Sequence, residues 1–230
     1  MIDGLIFDKD GTLFDFRISW GRWAAGFLAS MAEGPEHAAR LGRTIGFDPE
    51  TLTFSPDSPV IAATAADIAA ALVAELPGRS VADLKALIDE TAGAAPMSEA
   101  VPLRPLLSGL RARGLKLGVA TNDSEAPARQ HLAAHGITDC FDFIAGYDSG
   151  HGAKPGPGMC LAFAGTLGLD PARVAMVGDS RHDLEAGRAA GMRTVAVLTG
   201  VAGRADLAPH ADVVLPDIGA IPDWLAGLRG

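Results

Sequence analysis

The sequence predicts an α/β fold in which a doubly wound parallel sheet receives an inserted all-helical domain. Three observations lead to this prediction. Short apolar segments end at a polar residue or a glycine, helical patterns alternate with them after residue 114, and residues 15–100 contain helical patterns without a convincing strand. Strands and helices that alternate over short connections form βαβ units, whose parallel sheet is covered by helices on both faces.

The core is predicted from six apolar segments, each of which ends at a turn. They are residues 4–7, 115–120, 143–145, 174–177, 194–197 and 212–215. Helical patterns lie between the later strands, at residues 125–135, 158–167 and 183–190. We therefore expect residues 1–14 and 101–230 to form a Rossmann-like core.

The segment of residues 15–100 is rich in Ala, Leu and Glu at helical spacing, and it is predicted to form a helical cap. Its predicted helices are residues 19–33, 36–43, 60–75 and 81–91, separated by turns that contain Gly and Pro. Because the strand before this segment and the strands after it belong to one sheet, the segment is an insertion above the sheet edge. It joins the core near residues 14–17 and 100–103, and we expect it to close as a lid.

Composition and charge restrict the classes of function. The chain has 230 residues, 48% of them hydrophobic, and its net charge of −9 and pI near 5.0 come without a run of basic residues. This balance argues against nucleic acid or an anionic membrane as a partner. No signal peptide or membrane span is predicted, and Cys140 and Cys160 form no CxxC pair, so we expect a cytoplasmic protein with two buried thiols. A monomer and a small homo-oligomer are both compatible with the sequence.

An acidic motif, DKDGTL at residues 8–13, directly follows the first predicted strand and places Asp8 and Asp10 at its carboxyl end. In an open parallel sheet, ligands bind at that edge. Taken alone, the motif is also typical of an acidic turn. It does not continue as an EF-hand loop, because Thr12 and Phe14 occupy the fifth and seventh positions and the later acidic ligands are missing.

Thr121 and Asn122 directly follow the second strand of the core. A hydroxyl and an amide at the start of a helix can hold phosphate oxygens together with free backbone N–H groups. The alternative is an ordinary N-cap of the helix that begins near Glu125.

Two further motifs follow the next two strands. Lys154 lies in a loop rich in glycine and proline, where the alternative is a solvated surface lysine. Asp179 and Asp183 come after the strand at 174–177, either as a metal ligand with a supporting carboxylate or as an N-cap with a first-turn acid.

The four motifs together favour a catalytic site, because each lies where a core strand ends. Asp8, Thr121, Lys154 and Asp179 are therefore expected to meet at one edge of one sheet. A carboxylate that attacks a phosphate dianion is opposed by charge repulsion, which Mg²⁺ and a lysine can neutralise. The sequence predicts phosphoryl-transfer chemistry with Mg²⁺ as the cofactor.

On these motifs the sequence resembles the haloacid dehalogenase superfamily of phosphatases, and within it the phosphoglycolate phosphatases. The segments DKDGTLFD, VATND, AKPGP and VGDSRHDLEAG match the four superfamily motifs in order, and the match covers the α/β core. The helical insertion matches the family's cap of the first type in position and kind. The resemblance implies a Mg²⁺-dependent hydrolase whose partner is a small phosphate monoester.

The resemblance also implies a role for each matched residue. Asp8 attacks phosphorus and forms an aspartyl-phosphate, and Asp10 protonates the leaving alcohol and then activates water. Thr121 and Asn122 hold the transferring phosphoryl group, and Lys154 bridges it to Asp8.

The implied metal ligands are the Asp8 carboxylate, the Asp10 backbone carbonyl and Asp179. Asp183 is expected behind them as an orienting residue. In the cap, Arg17 and Arg43 are candidates for contacting a carboxylate or a second polar group of the substrate.

The aromatic residues Trp20, Trp23 and Phe27 recur at helical spacing and are expected to form the core of the cap.

Four rival functions were compared with the motifs. A haloacid dehalogenase does not need a carboxylate at the position of Asp10, and this chain has one. A phosphonatase needs a suitably placed lysine in the cap, whereas the only lysine of the predicted cap, Lys85, lies late in it. A phosphosugar mutase keeps every residue named above and stays open. A receiver-like signalling module also holds an aspartyl-phosphate with acidic residues, Thr and Lys, but it lacks a helical lid.

Overall fold

A six-stranded parallel sheet forms the centre of the computed structural model, which describes residues 1–55 and 57–228. In chain order, the strands of the described residues are β1 (Gly4–Phe7), β2 (Phe47–Asp48), β3 (Thr53–Phe54), β4 (Lys116–Ala120), β5 (Phe143–Ala145), β6 (Val174–Gly178), β7 (Arg193–Val197) and β8 (Val213–Leu215). The large sheet has the order β5-β4-β1-β6-β7-β8, and every pairing in it is parallel. The predicted α/β class and all six predicted core strands are confirmed.

The helices include all those predicted after residue 114 and several that the sequence patterns did not predict. In chain order they are α1 (Phe16–Met31), α2 (Pro35–Thr44), α3 (Ala65–Leu72), α4 (Val81–Gly93), α5 (Leu103–Ala112), α6 (Glu125–Ala134), α7 (Gly158–Leu167), α8 (Arg181–Ala189), α9 (Arg204–Leu207) and α10 (Ile221–Gly227). Helices α5, α9 and α10 were not predicted. None of the helices among the described residues combines the length and apolar character needed to span a bilayer.

Helices cover both faces of the sheet, as the alternation of side chains in β1 shows. Leu5 and Phe7 point to one face and belong to a buried cluster with residues of α5, α6 and α10. Ile6 points to the other face and belongs to a cluster with residues of α7 and α8. All three side chains of β1 are fully buried. The core is therefore doubly wound, and both predicted thiols, Cys140 and Cys160, are buried in it.

Helices α1 to α4 pack around a further buried cluster, which is separate from the clusters of the sheet. The cap also contains a short antiparallel pair, β2 and β3, so the prediction of an all-helical insertion is wrong in this detail. The rings of Phe47 and Phe54 pack at 4.9 Å across this pair and are buried. Strands of two residues are too short to show the alternating pattern that identifies a strand.

The predicted helix at 60–75 is divided in the structure. A 3-10 turn covers Pro59–Ile61, and α3 begins only after Thr64, which forms a reciprocal capping box with Asp67. A second 3-10 turn, Val73–Glu75, follows α3. Helix α3 begins after Thr64, and not near residue 60, because the Thr64 hydroxyl accepts the Asp67 N–H in the first turn of the helix.

The chain passes between core and cap through two connectors that lie side by side. The Asp15 N–H donates to Ser98 O at 2.8 Å, and the Ala100 N–H donates to Leu13 O at 2.9 Å. Asp15 also begins α1, since its carboxylate accepts the Ile18 N–H at 2.9 Å. The two connectors therefore enter the cap as a paired unit above the carboxyl end of β1.

Candidate active site

Asp8 lies at the carboxyl end of β1, where the strand order of the sheet reverses. Its N–H donates to Val177 O of β6 at 2.8 Å, which continues the parallel pairing beyond the strand. Lys154 approaches from the loop after β5, and its ammonium group donates to Asp8 Oδ1 at 2.5 Å, Asp183 Oδ1 at 2.6 Å and Ala120 O at 2.8 Å. All three donors of the lysine are used, and the side chain is buried.

The loop that carries Lys154 is fixed by Asn122. The Asn122 Oδ1 accepts the Lys154 N–H at 2.8 Å, and Nδ2 donates to Lys154 O at 3.0 Å and to Ala62 O of the cap at 2.7 Å. The amide predicted to contact phosphate thus positions the lysine and ties a cap loop to the core. Its neighbour Thr121 is buried and lines the cavity beside Asp8.

Asp179 and Asp183 extend the acidic cluster from β6 and α8. A carboxylate oxygen from each, together with one from Asp8, lies within 4.8 Å of the others. Asp183 was expected behind the ligands as an orienting residue, whereas the structure brings it into this cluster. Its second oxygen accepts the Ser180 hydroxyl at 2.7 Å in a capping box that begins α8. This box fixes the direction of the carboxylate toward Lys154.

The close approach of Asp179 to the first motif requires the glycine at position 11. Gly11 has a φ of +86°, and a Cβ built there would lie 2.3 Å from Asp179 Oδ2. The Thr12 hydroxyl donates to Asp179 Oδ1 at 3.3 Å from the same turn. Gly11 therefore makes a sharp turn, which leaves room for a second carboxylate next to Asp8.

Positive charge is scarce among these carboxylates. Burial raises the pKa of Asp8 to about 7, against the opposing effect of Lys154, and the neighbouring Asp183 and Asp10 charges add to the rise. Burial also raises the pKa of Asp179 well above its ordinary value. For Lys154, burial opposes the charged form, but the attraction of Asp183 and Asp8 raises its pKa overall. One lysine thus faces three carboxylates whose oxygens are hard donors, a set that fits Mg²⁺.

The Asp10 carboxylate is held on the other side of the motif. Lys9 Nζ lies 2.7 Å from its oxygens, and Trp20 Nε1 of the cap donates to Oδ1 at 2.8 Å. Lys9 is fully buried and also lies 3.3 Å from Asp123 Oδ2 and 3.1 Å from His131 Nδ1. The side chain of Asp10 therefore lies outside the cluster of three carboxylates, and metal ligation by its backbone carbonyl stays a prediction.

Two neighbours of Lys9 have strongly shifted protonation equilibria. Burial lowers the pKa of His131 to about 4, with the Lys9 charge acting in the same direction. Burial raises the pKa of Asp123 to about 6, although the Lys9 charge opposes this rise. His131 is therefore neutral near pH 7, with Nε2 at 2.8 Å from Ala92 O. Sequence reasoning missed Lys9, Trp20, Asp123 and His131 as members of the site.

A cavity lies between the core and the cap and opens to solvent. Its core side is formed by Asp8, Asp10, Thr121, Lys154 and Asp179, which the sequence predicted to meet. Its cap side is formed by residues of α1, α3, α4 and the loop before α3. A cavity with apolar walls and a few converging polar groups at one end is typical of a small-molecule site.

The two cap arginines proposed for substrate binding do not line this cavity. Arg17 is exposed on α1, whose buried face carries Phe16 and Trp20 instead, and Arg43 is exposed in the last turn of α2. The expected aromatic core of the cap is present, since Trp20 and Phe27 are buried. The helix face that packs inward determines which residues reach the cavity, and that face is apolar.

Comparisons with known proteins find similarity to hydrolases of one family. A model of the family described as "Hydrolase: haloacid dehalogenase-like hydrolase" matches residues 2–191. The chain is 36% identical over 120 residues to a phosphoglycolate phosphatase of Rhodospirillum rubrum, covering 52% of this chain and 50% of that protein. It is 40% identical over 125 residues to a phosphoglycolate phosphatase of Neisseria meningitidis, covering 54% of this chain and 53% of that protein. The chain therefore spans about half the length of the curated relatives it matches.

Among solved structures, the fold resembles that of CbbY from Rhodobacter sphaeroides, which was determined in complex with phosphate. The two chains superpose with a TM-score of 0.76 over 96% of each chain at 20% sequence identity. At this level of identity the likeness concerns the fold alone.

Proposed function

We propose that this chain, which belongs to the haloacid dehalogenase-like hydrolases, is a Mg²⁺-dependent phosphatase that hydrolyses a small phosphate monoester through an aspartyl-phosphate on Asp8. The proposal starts from the family match over residues 2–191 and from the likeness to phosphoglycolate phosphatases.

One observation carries the proposal: a buried lysine contacts the candidate nucleophile directly. Lys154 Nζ lies 2.5 Å from Asp8 Oδ1 in a cavity that is open to a small molecule. A phosphate dianion that enters this cavity meets a carboxylate nucleophile already paired with a cation. Such pairing reduces the repulsion between carboxylate and phosphate and stabilises charge as the transition state forms.

The proposed first step forms one bond and breaks one bond at phosphorus. An Asp8 oxygen attacks phosphorus, the bond from phosphorus to the alcohol oxygen breaks, and Asp10 gives that oxygen a proton. Lys154 and the Thr121 hydroxyl hold the oxygens of the phosphoryl group during the transfer. The products of this step are the free alcohol and an aspartyl-phosphate on Asp8.

The second step releases phosphate. Asp10, now ionised, accepts a proton from a water molecule, and the water oxygen attacks phosphorus while the bond to Asp8 breaks. Asp8 returns as a carboxylate and Asp10 returns as an acid. Asp10 is held for both steps by Lys9 and Trp20, so that its position depends on the core and on the cap at once.

The metal would be held by Asp8 and Asp179, with Asp183 next to them and the Asp10 carbonyl as a further oxygen ligand. When bound, Mg²⁺ would supply the positive charge that three carboxylates and one lysine lack, favouring ionised Asp8 and neutralising phosphate charge. The raised pKa of Asp8 supports this proposal, because without further positive charge the nucleophile would be only partly ionised near pH 7.

Phosphate release from 4-nitrophenyl phosphate, with and without Mg²⁺, tests this proposal. We expect turnover with Mg²⁺, loss of turnover in excess EDTA and recovery when Mg²⁺ is restored. Asp8→Asn should abolish turnover, whereas Asp223→Asn, at an exposed position of α10, should retain it. Retained turnover in folded Asp8→Asn protein would sink the proposed mechanism.

A phosphosugar mutase uses the same residues and is the second candidate. Incubation with hexose 1-phosphates and 6-phosphates separates the two functions. Release of inorganic phosphate supports the hydrolase, and isomerised sugar phosphate without released phosphate supports the mutase.

A further inference from the structure

The cap side of the active-site cavity is formed by apolar side chains. Those that matter most are Phe16, Trp20 and Trp23 on α1, Ile61 in the loop before α3, Ile68 on α3 and Ile88 on α4. Ile68 and Ile88 are buried, and Trp23 is half-buried. The part of a substrate that extends away from the phosphoryl group therefore meets hydrocarbon and aromatic rings.

The polar groups of this aromatic wall are already used. Trp20 Nε1 donates to Asp10, and Trp23 Nε1 donates to Thr91 Oγ1 at 3.2 Å. The rings of Trp20 and Trp23 pack nearly perpendicular at 5.1 Å, and Trp23 stacks on Phe27 at 4.9 Å. These contacts fix the indoles and leave their ring surfaces, rather than their N–H groups, for a ligand.

Positive charge is confined to the core side of the cavity. Among the lining residues within the described ranges, the basic ones are Lys154 and His182, and both belong to the core. Lys154 contacts Asp8 and Asp183 and so lies at the phosphoryl end of the cavity, away from the cap, while His182 is exposed. Arg181 lines a neighbouring opening, where it is exposed and contacts Glu185 at 2.5 Å.

A leaving group that carries a carboxylate is poorly matched to such a wall. An ionised carboxylate buried against apolar side chains without a cation loses its hydration and receives no compensating partner. An apolar leaving group gains from the same surface, because it is removed from water on binding.

From these contacts we infer that the preferred substrate is a phosphate monoester of an uncharged, largely apolar alcohol, and not a phosphorylated hydroxy acid such as phosphoglycolate. This inference rests on the proposed phosphatase function and specifies its substrate class. The core recognises the phosphoryl group, and the aromatic and aliphatic wall of the cap recognises the alcohol.

The first experiment compares kcat/KM for benzyl phosphate and 2-phosphoglycolate with Mg²⁺ present. Both substrates release a primary alcohol, so the comparison does not depend on an activated aryl leaving group. We expect benzyl phosphate to be preferred by about tenfold or more, since even one methylene in an apolar pocket is worth about that factor. Equal values, or a preference for phosphoglycolate, would overturn the inference. Failure to hydrolyse any monoester would instead overturn the proposed function.

A second measurement follows binding without turnover. The inert analogues are 2-phenylethylphosphonate and 3-phosphonopropionate, titrated into a Trp224→Phe variant so that the emission comes from Trp20 and Trp23. We expect the phenyl analogue to bind about tenfold more tightly and to change the indole emission. Tighter binding of the carboxylate analogue contradicts the inference, whether or not the protein is catalytically active.

A matched pair of variants assigns the preference to the cavity wall. Ile68→Ala removes part of the wall, and Ile18→Ala removes an exposed side chain of α1 that is 56% accessible. The ratio of kcat/KM for benzyl phosphate over phosphoglycolate should fall several-fold in Ile68→Ala and stay unchanged in Ile18→Ala. Ile68→Val serves as the smaller truncation if Ile68→Ala is unstable. A ratio unchanged in both Ile68 variants contradicts the inference.

Discussion

Lys154 and Lys9 lie at the same edge of the sheet, both are buried, and each contacts two carboxylates. Lys154 follows β5 and reaches Asp8 in the cavity. Lys9 is the second residue after β1 and turns the other way, toward His131 and the ring of Trp20, whose centroid is 5.3 Å from Nζ. The two lysines therefore share burial and charge but differ in what they face.

This difference teaches that a buried ion pair does not by itself identify a catalytic lysine. Lys154 lines the cavity and can contact a phosphoryl group, whereas Lys9 is not among the lining residues of the described chain. Lys9 contacts Asp10, which does line the cavity. We therefore assign Lys154 to the phosphoryl group and Lys9 to the position of Asp10.

The largest effect is expected from Lys154→Met. The substitution removes the only cation that contacts Asp8 among the described residues, so kcat for 4-nitrophenyl phosphate should fall by about a thousandfold. Lys116→Met, at an exposed lysine that starts β4, is the matched control and should keep the kcat of the unmodified protein. Steady-state kinetics with Mg²⁺ make this comparison, and a fall of less than tenfold in Lys154→Met would remove the distinction between the two lysines.

A smaller effect on rate, together with a loss of stability, is expected from Lys9→Met. The variant leaves Asp10 and Asp123 without their buried cation, so the free energy of unfolding should fall by about 3–5 kcal/mol. Because Asp10 also loses its positioning contact, kcat should fall by about 10–100-fold while KM changes little.

Urea unfolding gives the stability of Lys9→Met, and rates measured below the unfolding transition give kcat per folded molecule. Lys9→Arg tests whether a cation alone rescues the activity. An unchanged kcat in folded Lys9→Met would show that Lys9 only stabilises the fold.

The smallest effect concerns His131 and the pH dependence of stability. The pKa of His131 is about 4 in the folded chain, compared with 6.5 for a histidine in the unfolded chain. Between these two pH values the unfolded chain therefore binds a proton at His131 that the folded chain does not bind, and this favours unfolding. This contribution to stability is therefore complete above pH 6.5 and is lost as the pH falls toward 4. Between pH 7 and pH 4.5 the loss should be about 2–3 kcal/mol.

His131→Gln should remove this part of the pH dependence, while His151→Gln, at an exposed position, should retain it. Urea unfolding of the three proteins at pH 7 and pH 4.5 measures the difference. If all three proteins lose the same free energy of unfolding between pH 7 and pH 4.5, a group other than His131 is responsible for the loss.

The sequence predicted those parts of the molecule that depend on local pattern. Each core strand is an apolar run that ends at a turn, and parallel strands bring their carboxyl ends to one edge, so the meeting of Asp8, Thr121, Lys154 and Asp179 followed. The cap was found because its helical spacing contrasts with the strands around it. The short pair β2 and β3 left no periodic pattern and was missed.

The parts that could not be predicted depend on contacts between residues that are distant in the sequence. Lys9 and His131 are 122 positions apart, and no local pattern relates them. One signal was available: Lys9 is one of only four lysines in the chain, and it lies between the two aspartates of the first motif. For Arg17 and Arg43, the sequence could not show which helix face points to the cavity.

The central claim is that Asp8 receives the phosphoryl group, and trapping that group on the chain tests it most directly. The Asp10→Asn variant is mixed with 4-nitrophenyl phosphate and Mg²⁺, because 4-nitrophenolate leaves without a proton while the second step still needs Asp10. Acid quenching and peptide mass spectrometry should find one phosphoryl group on the peptide that contains Asp8. The same treatment of the Asp8→Asn, Asp10→Asn double variant should find none. A phosphoryl group on another residue, or turnover without a phosphorylated chain, would contradict the account.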